Sequence, residues 1–263
     1  GKSRMGTYGD FLMETDWVVG EVLKTLDRLH IANNTMVVFT TDNGAAPKAF
    51  TPRLFQSGHH PCAQFRGYKG EIWEGGHRVP TVIRWPSKIK NGASSSRTIT
   101  LADFFATYSE MLGVTIKESS AVDSISFYRE LVDLPHKNNR SAIVMHAGDG
   151  KFAIRNENMK LCFSRDNNNR WNKSSSHNKW QLYDLAKDHR ERNNIYEDHP
   201  TLVKELYTLM LQYIENGRST DGSIQENDAH INLLKDDANK DKGKSQKKGK
   251  DNTIERSPLY GKR

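Results

Sequence analysis

The sequence is short of cysteine and of apolar residues, and both shortages exclude classes of protein. Two of the 263 residues are cysteine, Cys62 and Cys162, which excludes a small domain held by several disulfides and leaves at most one bridge open. Apolar residues make up 35% of the chain and never run for the roughly 18 positions that a membrane-spanning helix needs. Residues 1–5 also lack the apolar core of a signal peptide.

A broad excess of positive charge is missing as well. The formal net charge is +7, but residues 235–263 hold ten Lys and Arg against five Asp and Glu, so most of the excess lies in this basic tail. Nucleic-acid-binding surfaces need cations clustered on one face, and the rest of the chain is close to neutral. The sequence therefore predicts no nucleic-acid partner for the folded part.

The first forty residues predict a helix followed by a strand. Apolar residues recur at three- and four-residue spacing from Tyr8 to His30, which indicates an amphipathic helix with one face packed on a core. Residues 35–40 are a short apolar run, typical of a strand buried on both faces of a parallel sheet. Residues 42–44 then lie at the carboxyl end of that strand, where open α/β sheets bind their ligands.

The rest of the chain predicts an irregular loop at 45–68, a strand at 79–85 and a helix at 98–112. The residues expected to face inward from this helix are Leu101, Phe104, Phe105, Tyr108 and Leu112. Three short strands at 141–146, 151–155 and 159–164, separated by turn residues, indicate a small antiparallel sheet, and a helix follows at 201–215.

The expected organisation is therefore an α/β fold in three parts. Residues 1–136 belong to an α/β domain, and residues 137–219 form a small subdomain of antiparallel sheet and helix. Residues 220–263 are polar and charged with few apolar side chains, which predicts a disordered basic tail.

Two glycine-rich segments carry the candidate functional residues. Asp42-Asn43-Gly44 places two oxygen donors side by side, a set that suits a hard divalent cation, although the same tripeptide is also common as a plain turn. Downstream, residues 67–70 read Gly-Tyr-Lys-Gly and residues 74–80 read Glu-Gly-Gly-His-Arg-Val-Pro. Glycine allows sharp turns and close approach of the backbone to a ligand, so charged residues interleaved with glycines indicate a site.

Together the two segments resemble the sulfatase family of the alkaline-phosphatase-like superfamily. That family has an Asp-Asn-Gly metal motif followed by Gly-x-Lys-Gly and Glu-Gly-Gly-x-Arg-x-Pro, and the resemblance continues to about Ser219. It implies the C-terminal half of such an enzyme: the remainder of an α/β/α sheet domain plus a small antiparallel α+β subdomain. It also implies hydrolysis of a small-molecule or carbohydrate sulfate ester, in the periplasm or outside the cell.

The resemblance implies a role for each matched residue. Asp42 and Asn43 are expected to bind a divalent metal, with calcium as the usual ion. Lys69 is expected to be catalytic and substrate-binding, in contact with the sulfate group or the oxygen that leaves from it. Glu74 or Arg78 is expected to brace the loop by ion pairing. The full structural frame of the site is Gly44, Glu74, Gly75, Gly76 and Arg78.

The family's nucleophile is absent from this sequence. Sulfatases convert the cysteine of Cys-x-Pro/Ala-x-Arg into formylglycine, but residues 62–66 read Cys-Ala-Gln-Phe-Arg, with glutamine in place of proline or alanine. This segment also follows the metal motif instead of preceding it. We interpret Cys62 as a coincidental match, and expect the formylglycine and the remaining metal ligands outside this chain. The chain alone is then expected to be inactive.

Several alternatives stay open at this point. A phosphoester or phosphonate hydrolase would use the same metal scaffold. A truncated, catalytically inert protein would keep the metal loop without a nucleophile, and a binding module would hold an acidic polymer through residues 235–263. For His59, His60 and His77, proton transfer and an ordinary loop position are both open. No pattern in the sequence predicts an oligomeric state.

Overall fold

The computed structural model describes residues 1–137, 140–164 and 180–233. The helices within them are α1 (Gly6–Arg28), α2 (Pro52–Gln56), α3 (Glu74–His77), α4 (Asp103–Leu112), α5 (Tyr128–Leu131) and α6 (Pro200–Asn216). The strands are β1 (Val37–Thr40), β2 (Thr81–Arg84), β3 (Ile143–His146), β4 (Phe152–Asn156), β5 (Met159–Cys162) and β6 (Gln181–Asp184). None of the helices in these residues is long and apolar enough to cross a membrane.

The first sheet corrects one sequence prediction. β1 and β2 pair antiparallel, with Val37 opposite Arg84 and Thr40 opposite Thr81. Both strands were predicted, but the parallel, fully buried setting of β1 was wrong, since its residues are half-buried. An apolar β-branched run predicts a strand without specifying the direction of its neighbour. Among the described residues β1 pairs with β2 alone, which leaves its other edge free.

Helix α1 corrects a second prediction. The helix itself is confirmed, and Gly9 is its one buried residue. Phe11, Val18, Val22 and Leu29, spaced so that they share one face, are 65%, 48%, 47% and 55% exposed. The face that periodicity assigns to a core is therefore uncovered in the described part of the chain.

Helix α4 is covered on part of its apolar surface. Phe104 packs edge-to-face on Phe127, with ring centroids 5.2 Å apart, and is buried as predicted. Leu101, Phe105 and Leu112 were predicted to face inward and are exposed instead. The elements within residues 1–137 cover only part of the apolar surface of α4.

The second sheet is antiparallel in the order β3-β4-β5-β6, and α6 packs on it through Val203, Leu206 and Met210. The three predicted strands and the helix are confirmed, whereas β6 was missed. Leu233 is buried in the same core, so residues 220–233 differ from the predicted disordered tail. Leu233 and the partly buried Ile231 anchor a segment that is polar on average. Residues 234–263 lie outside the described residues.

Candidate active site

The loop after β1 presents two oxygen donors to a ligand. Asp42 and Asn43 follow the carboxyl end of β1, with the Asp42 side chain exposed and that of Asn43 half-buried. Asn43 Nδ2 donates to the Gly44 carbonyl oxygen at 3.0 Å. No donor in the described residues reaches the Asp42 carboxylate or the Asn43 amide oxygen, which leaves both oxygens available.

Backbone hydrogen bonds join this loop to the second motif. The Gly44 N–H donates to the Gly76 carbonyl at 3.0 Å, and the Lys69 N–H donates to the Ala45 carbonyl at 3.0 Å. A Cβ atom on Gly44 would lie 1.7 Å from the Gly75 carbonyl oxygen, so only glycine fits there. The structure thus brings Asp42 and Asn43 together with the segment that carries Lys69.

The α3 turn is also closely packed against residues 62–67. The Gly75 N–H donates to the Arg66 carbonyl at 2.6 Å, and a Cβ on Gly75 would meet the Gly67 carbonyl oxygen at 2.3 Å. Cys62 is free, and its Sγ donates to the Gly75 carbonyl at 3.1 Å. Burial raises the pKa of the Cys62 thiol, which disfavours the nucleophilic thiolate. Cys62 therefore packs against the turn as a thiol.

Lys69 has an exposed side chain that forms no ion pair with any residue in the described ranges. Its neighbour Gly70 accepts a hydrogen bond of 2.9 Å from the Gly148 N–H, so the turn between β3 and β4 packs beside it. A free ammonium on a fixed backbone suits an anionic ligand, because it acts as a compact point charge on a flexible stem.

A buried cluster of ion pairs fixes the position of the α3 turn. Its members are Glu74, Arg155, Lys160 and Glu191. Lys160 Nζ lies 3.1 Å from Glu74 Oε1 and 2.9 Å from Glu191 Oε1, and Arg155 Nη1 lies 3.1 Å from Glu74 Oε2. Glu191 Oε2 also accepts a 2.7 Å hydrogen bond from the Glu74 N–H. The cluster ties α3 to β4, β5 and the segment before α6.

The charges of Glu74 and Lys160 stabilise each other, whereas burial raises the pKa of the Glu191 carboxyl and lowers the pKa of the Arg155 guanidinium. Burial alone would raise the pKa of the Glu74 carboxyl, but the Lys160 ammonium and the Arg155 guanidinium outweigh burial, so its pKa lies below the ordinary value. Burial would likewise lower the pKa of Lys160, and the neighbouring Cys162, Glu191 and Glu74 raise it above the ordinary value. Glu74 or Arg78 was expected to brace the loop by ion pairing; Arg78 lies 4.0 Å from the Glu74 carboxylate and is the most distant cation around it.

Arg66 and Trp73 fix the segment that leads into α3. The Arg66 guanidinium lies over the Trp73 ring, 3.9 Å from its centroid, and donates to the Glu191 carbonyl at 2.9 Å. Trp73 Nε1 donates to Gln181 Oε1 at 3.1 Å. The loop that carries Lys69 is thus anchored on both sides of the lysine, to Glu191 through Arg66 and to β6 through Trp73.

The histidines near the site are held differently from one another. His77 lies at the end of α3, where burial and the Lys160 charge lower its pKa to about 4. It is therefore neutral at physiological pH. His59 stacks near Tyr8 and His60 near Phe55, with ring centroids 5.6 Å and 5.3 Å apart. None of these contacts assigns proton transfer to a histidine.

Sequence reasoning missed the partners of Glu74. Lys160 carried a signal, because it is a charged residue inside the apolar strand Met159–Cys162, and a lysine buried in a strand needs paired carboxylates. Glu191 lies in an ordinary polar stretch and Arg155 near the end of the strand Phe152–Asn156, so no sequence pattern indicated that either residue pairs with Glu74. Cys162 is fully buried, and burial raises its pKa to about 12.

Asp42 and Asn43 fit part of a cation site. Carboxylate and amide oxygens are the ligands that Ca²⁺ takes, and Ca²⁺ needs roughly six to eight of them. Among the described residues no group of three or more His, Cys, Asp or Glu is placed to hold a metal. The donor chemistry is that of a hard cation, and a complete coordination sphere requires ligands beyond these two.

Two family models match the chain. One described as Sulfatase matches residues 2–114, and one described as N-sulphoglucosamine sulphohydrolase, C-terminal, matches residues 68–218, more than half of the sequence. The two models overlap on the segment that holds Lys69 and the α3 turn.

Known proteins agree with these models. The chain is 33% identical over 217 residues to the N-acetylgalactosamine-6-O-sulfatase of Bacteroides thetaiotaomicron, which covers 80% of this chain and 42% of that protein. It is 32% identical to human steryl-sulfatase, covering 70% of this chain and 29% of that protein.

A solved structure matches over a similar range. A protein from work on the metabolism of multiple glycosaminoglycans by Bacteroides thetaiotaomicron superposes with a TM-score of 0.70 and is 33% identical. The match covers 81% of this chain and 45% of that one. The chain thus spans less than half the length of these relatives, whose names are those of sulfate-releasing hydrolases. With both family models and the structure in agreement, this chain belongs to the sulfatase family.

Proposed function

We propose that the protein containing this chain hydrolyses sulfate monoesters of carbohydrates. The single observation that supports the proposal is the pair of backbone contacts, Gly44 to Gly76 and Lys69 to Ala45, because they join the segment of Asp42 and Asn43 to the segment of Lys69. Relatives named as a sugar 6-O-sulfatase and a steryl-sulfatase support sulfate-ester chemistry. The glycosaminoglycan study supports a sugar over a sterol.

Asp42 and Asn43 supply two ligands of a divalent cation, with Ca²⁺ as the ion that suits their oxygens. A bound cation adds positive charge that stabilises negative charge on the reacting oxygens. Asn43 is oriented for this role because its Nδ2 is engaged with the Gly44 carbonyl, which leaves Oδ1 for the ligand. The tight contact at Gly44 holds both donors in place.

Lys69 contacts the sulfate group or the oxygen that leaves from it. Cleavage of the S–O bond develops negative charge on that oxygen, and a positioned ammonium stabilises it. The exposed side chain leaves Lys69 free to reach a ligand, while its backbone is fixed to Ala45. The ionic cluster under α3 keeps this segment from moving away from the metal loop.

The remaining groups come from outside this sequence. The formylglycine nucleophile and the other metal ligands are supplied by a polypeptide segment that these 263 residues do not contain, and the chain alone releases no sulfate. We further propose that the enzyme works in the periplasm or is secreted. Residues 235–263, which the binding-module alternative would use, lie outside the described residues.

A chimaera tests the function directly. The part of the Bacteroides thetaiotaomicron N-acetylgalactosamine-6-O-sulfatase that precedes the residue aligned with Gly1 is fused to this chain and produced with an enzyme that generates formylglycine. Sulfate release is measured from N-acetylgalactosamine-6-sulfate and from 4-nitrophenyl sulfate. We expect activity from the fusion and none from the chain alone, and sulfate release by the homogeneous chain would contradict the missing nucleophile.

Variants of the fusion separate the roles of the residues. Asp42→Ala and Asn43→Ala are expected to weaken Ca²⁺ binding measured by calorimetry. Lys69→Ala should lower kcat by roughly a hundredfold or more without altering Ca²⁺ binding. Lys48→Ala is the matched control and should leave both measurements unchanged. Phosphate release from 4-nitrophenyl phosphate in preference to sulfate would favour the phosphoester alternative instead.

A further inference from the structure

The turn that joins β3 to β4, residues 147–151, lies beside the segment that carries Lys69. The Gly148 N–H donates to the Gly70 carbonyl at 2.9 Å, and a Cβ on Gly148 would lie 3.6 Å from the Gly70 Cα. Gly70 directly follows Lys69 in the chain. The second sheet therefore contributes one wall of the site, next to the lysine that is assigned to the sulfate group. We call residues 147–151 the β3–β4 turn.

Backbone hydrogen bonds fix the shape of the β3–β4 turn. The Ala147 N–H donates to the Lys151 carbonyl at 2.8 Å, and the Gly150 N–H donates to the Ala147 carbonyl at 2.9 Å. Gly150 has a φ of 81°, in the left-handed region that favours glycine. The residue between the two glycines of the turn, Asp149, is therefore held at a defined place.

Asp149 presents an oriented carboxylate. Its Oδ2 lies 2.8 Å from Lys151 Nζ, and its side chain is 54% exposed. Burial would raise the pKa of the Asp149 carboxyl, but the hydrogen bond and the charge of Lys151 outweigh burial and lower it. The carboxylate is therefore ionised at neutral pH. Among the described residues, only Lys151 and the backbone N–H of Asp149 itself donate to it, so acceptor positions remain for a ligand.

The Asp149 side chain lies on the side of the turn near the Lys69 segment. Burial raises the pKa of the Glu71 carboxyl, and the negative charge of Asp149 raises it further, so the two side chains are neighbours. Glu71 is hydrogen-bonded to Tyr68 and half-buried. Asp149 is thus the more available carboxylate next to Lys69.

An aspartate between two glycines is often only a turn residue, because its side chain accepts from the backbone two residues on. Here that contact, from the Lys151 N–H to Asp149 Oδ1, is 3.3 Å long, beyond the usual length of such a bond. The turn also contacts the residue after Lys69, which a plain surface turn does not require. Both observations favour a role in the site.

We propose that Asp149 is a specificity-determining residue that accepts hydrogen bonds from hydroxyl groups of the sugar ring bearing the sulfate. An ionised carboxylate is a strong acceptor, and a sugar presents several hydroxyl donors around its ring. The ion pair with Lys151 offsets the charge of Asp149, so that this carboxylate can lie beside an anionic ligand. The inference rests on the proposed function, since Lys69 must receive the sulfate group.

Two substrates separate recognition of the sugar from support of the turn. The chimaera and its Asp149→Ala variant are compared on N-acetylgalactosamine-6-sulfate and on 4-nitrophenyl sulfate, whose ring carries no hydroxyl groups. We expect kcat/KM for the sugar to fall by roughly ten- to a hundredfold, and kcat/KM for 4-nitrophenyl sulfate to change by less than about twofold. An equal fall for both substrates, or no change for the sugar, would overturn the inference.

Two further variants complete the comparison. Asp149→Asn keeps an acceptor oxygen without the charge and should give a rate on the sugar between those of the unmodified chimaera and Asp149→Ala. Asp184→Ala is the matched control, because Asp184 also pairs with a lysine, Lys187, at 3.4 Å and accepts from a backbone N–H two residues on. Asp184 lies at the opposite end of the second sheet from the β3–β4 turn. It should leave both substrates unaffected.

Binding without turnover separates this inference from the proposed function. Without the enzyme that generates formylglycine, the chimaera lacks its nucleophile, and saturation-transfer NMR measures the Kd of N-acetylgalactosamine-6-sulfate. We expect Asp149→Ala to raise this Kd at least tenfold and Asp184→Ala to leave it unchanged. Sugar binding that depends on Asp149 without sulfate release by the modified enzyme supports the recognition and overturns the proposed hydrolysis. Binding or turnover of the sugar that is independent of Asp149 overturns the inference alone, and absence of binding at about 10 mM sugar overturns both.

Discussion

Gly44 fixes the geometry of the loop that carries Asp42 and Asn43. Its absent Cβ leaves room for the Gly75 carbonyl oxygen, which would otherwise lie 1.7 Å away, and both sides of this contact are backbone. Neither side can yield by rotating a side chain. We therefore expect Gly44→Ala to push the loop off the α3 turn and lower the free energy of unfolding by about 1–3 kcal/mol.

Urea denaturation of the chain checks this expectation. Gly20→Ala is the matched control, because nothing lies within 4 Å of a Cβ at Gly20. Gly20 lies inside α1, where replacing glycine by alanine should stabilise by up to about 1 kcal/mol. If both variants shift the midpoint in the same direction, the close approach at Gly44 is not what requires glycine.

His77 makes stability depend on pH. Burial and the Lys160 charge lower its pKa to about 4 from 6.5, with Glu74 and His146 as its other charged or titratable neighbours. Between these two pKa values the unfolded chain binds a proton at His77 that the folded chain does not bind. The free energy of unfolding therefore falls as the pH falls from 6.5 towards 4. The loss attributable to this residue is about 3 kcal/mol.

Denaturation midpoints measured from pH 7.5 to pH 4 test the sign and size of this effect. His77→Gln should reduce the loss of stability over that interval, since glutamine binds no proton there. If the pH profile of His77→Gln superimposes on that of the unmodified chain, His77 is not the cause of the pH dependence of stability.

At the scale of elements, the ionic cluster fastens the α3 turn to the second sheet. Lys160 of β5 is paired with both Glu74 and Glu191, and all three side chains are buried. Lys160→Met would leave two carboxylates facing each other without their shared cation. Because an unpaired buried charge is strongly unfavourable, we expect a loss of about 3–5 kcal/mol in the free energy of unfolding.

A surface pair provides the comparison for this variant. Lys187 pairs with Asp184 at 3.4 Å and is 86% exposed, so Lys187→Met should change stability by less than about 1 kcal/mol. In the chimaera, Lys160→Met should also lower activity, because Lys69 lies just before the turn whose position the cluster fixes. Equal effects of the two substitutions on the urea midpoint would show that the buried pairing contributes little.

The sequence predicted elements better than it predicted their neighbours. Three- and four-residue spacing identified α1, and turn residues delimited β3, β4 and β5, because these signals are local. The direction of β2 beside β1 and the exposure of Phe11 and Leu112 depend on which other elements are present, so no local pattern contains them. At the site, the motifs around Asp42 and Lys69 were visible as glycine-rich segments. Glu191 was not, since it meets Glu74 only after folding, 117 residues away.

At the scale of the whole molecule, burial divides the chain unevenly. The core around β4, β5 and α6 holds Ile154, Leu161 and Leu206 almost fully buried, whereas α1 buries Gly9 alone. Helices gain most of their stability from packing, not from intrinsic propensity. The second sheet is therefore the stable unit, and the part of the chain that carries Asp42 depends on it through the ionic cluster and the α3 turn.

This asymmetry predicts how the backbone exchanges its amide hydrogens. Local opening is easiest where few apolar contacts must be broken, so amides of Gly6–Arg28 should exchange at least a hundredfold faster than those of β4 and β5. Hydrogen–deuterium exchange read by mass spectrometry resolves both segments in one experiment. If the amides of α1 are as protected as those of β5 in the chain alone, the helix is already covered. Its apolar face would then not be exposed.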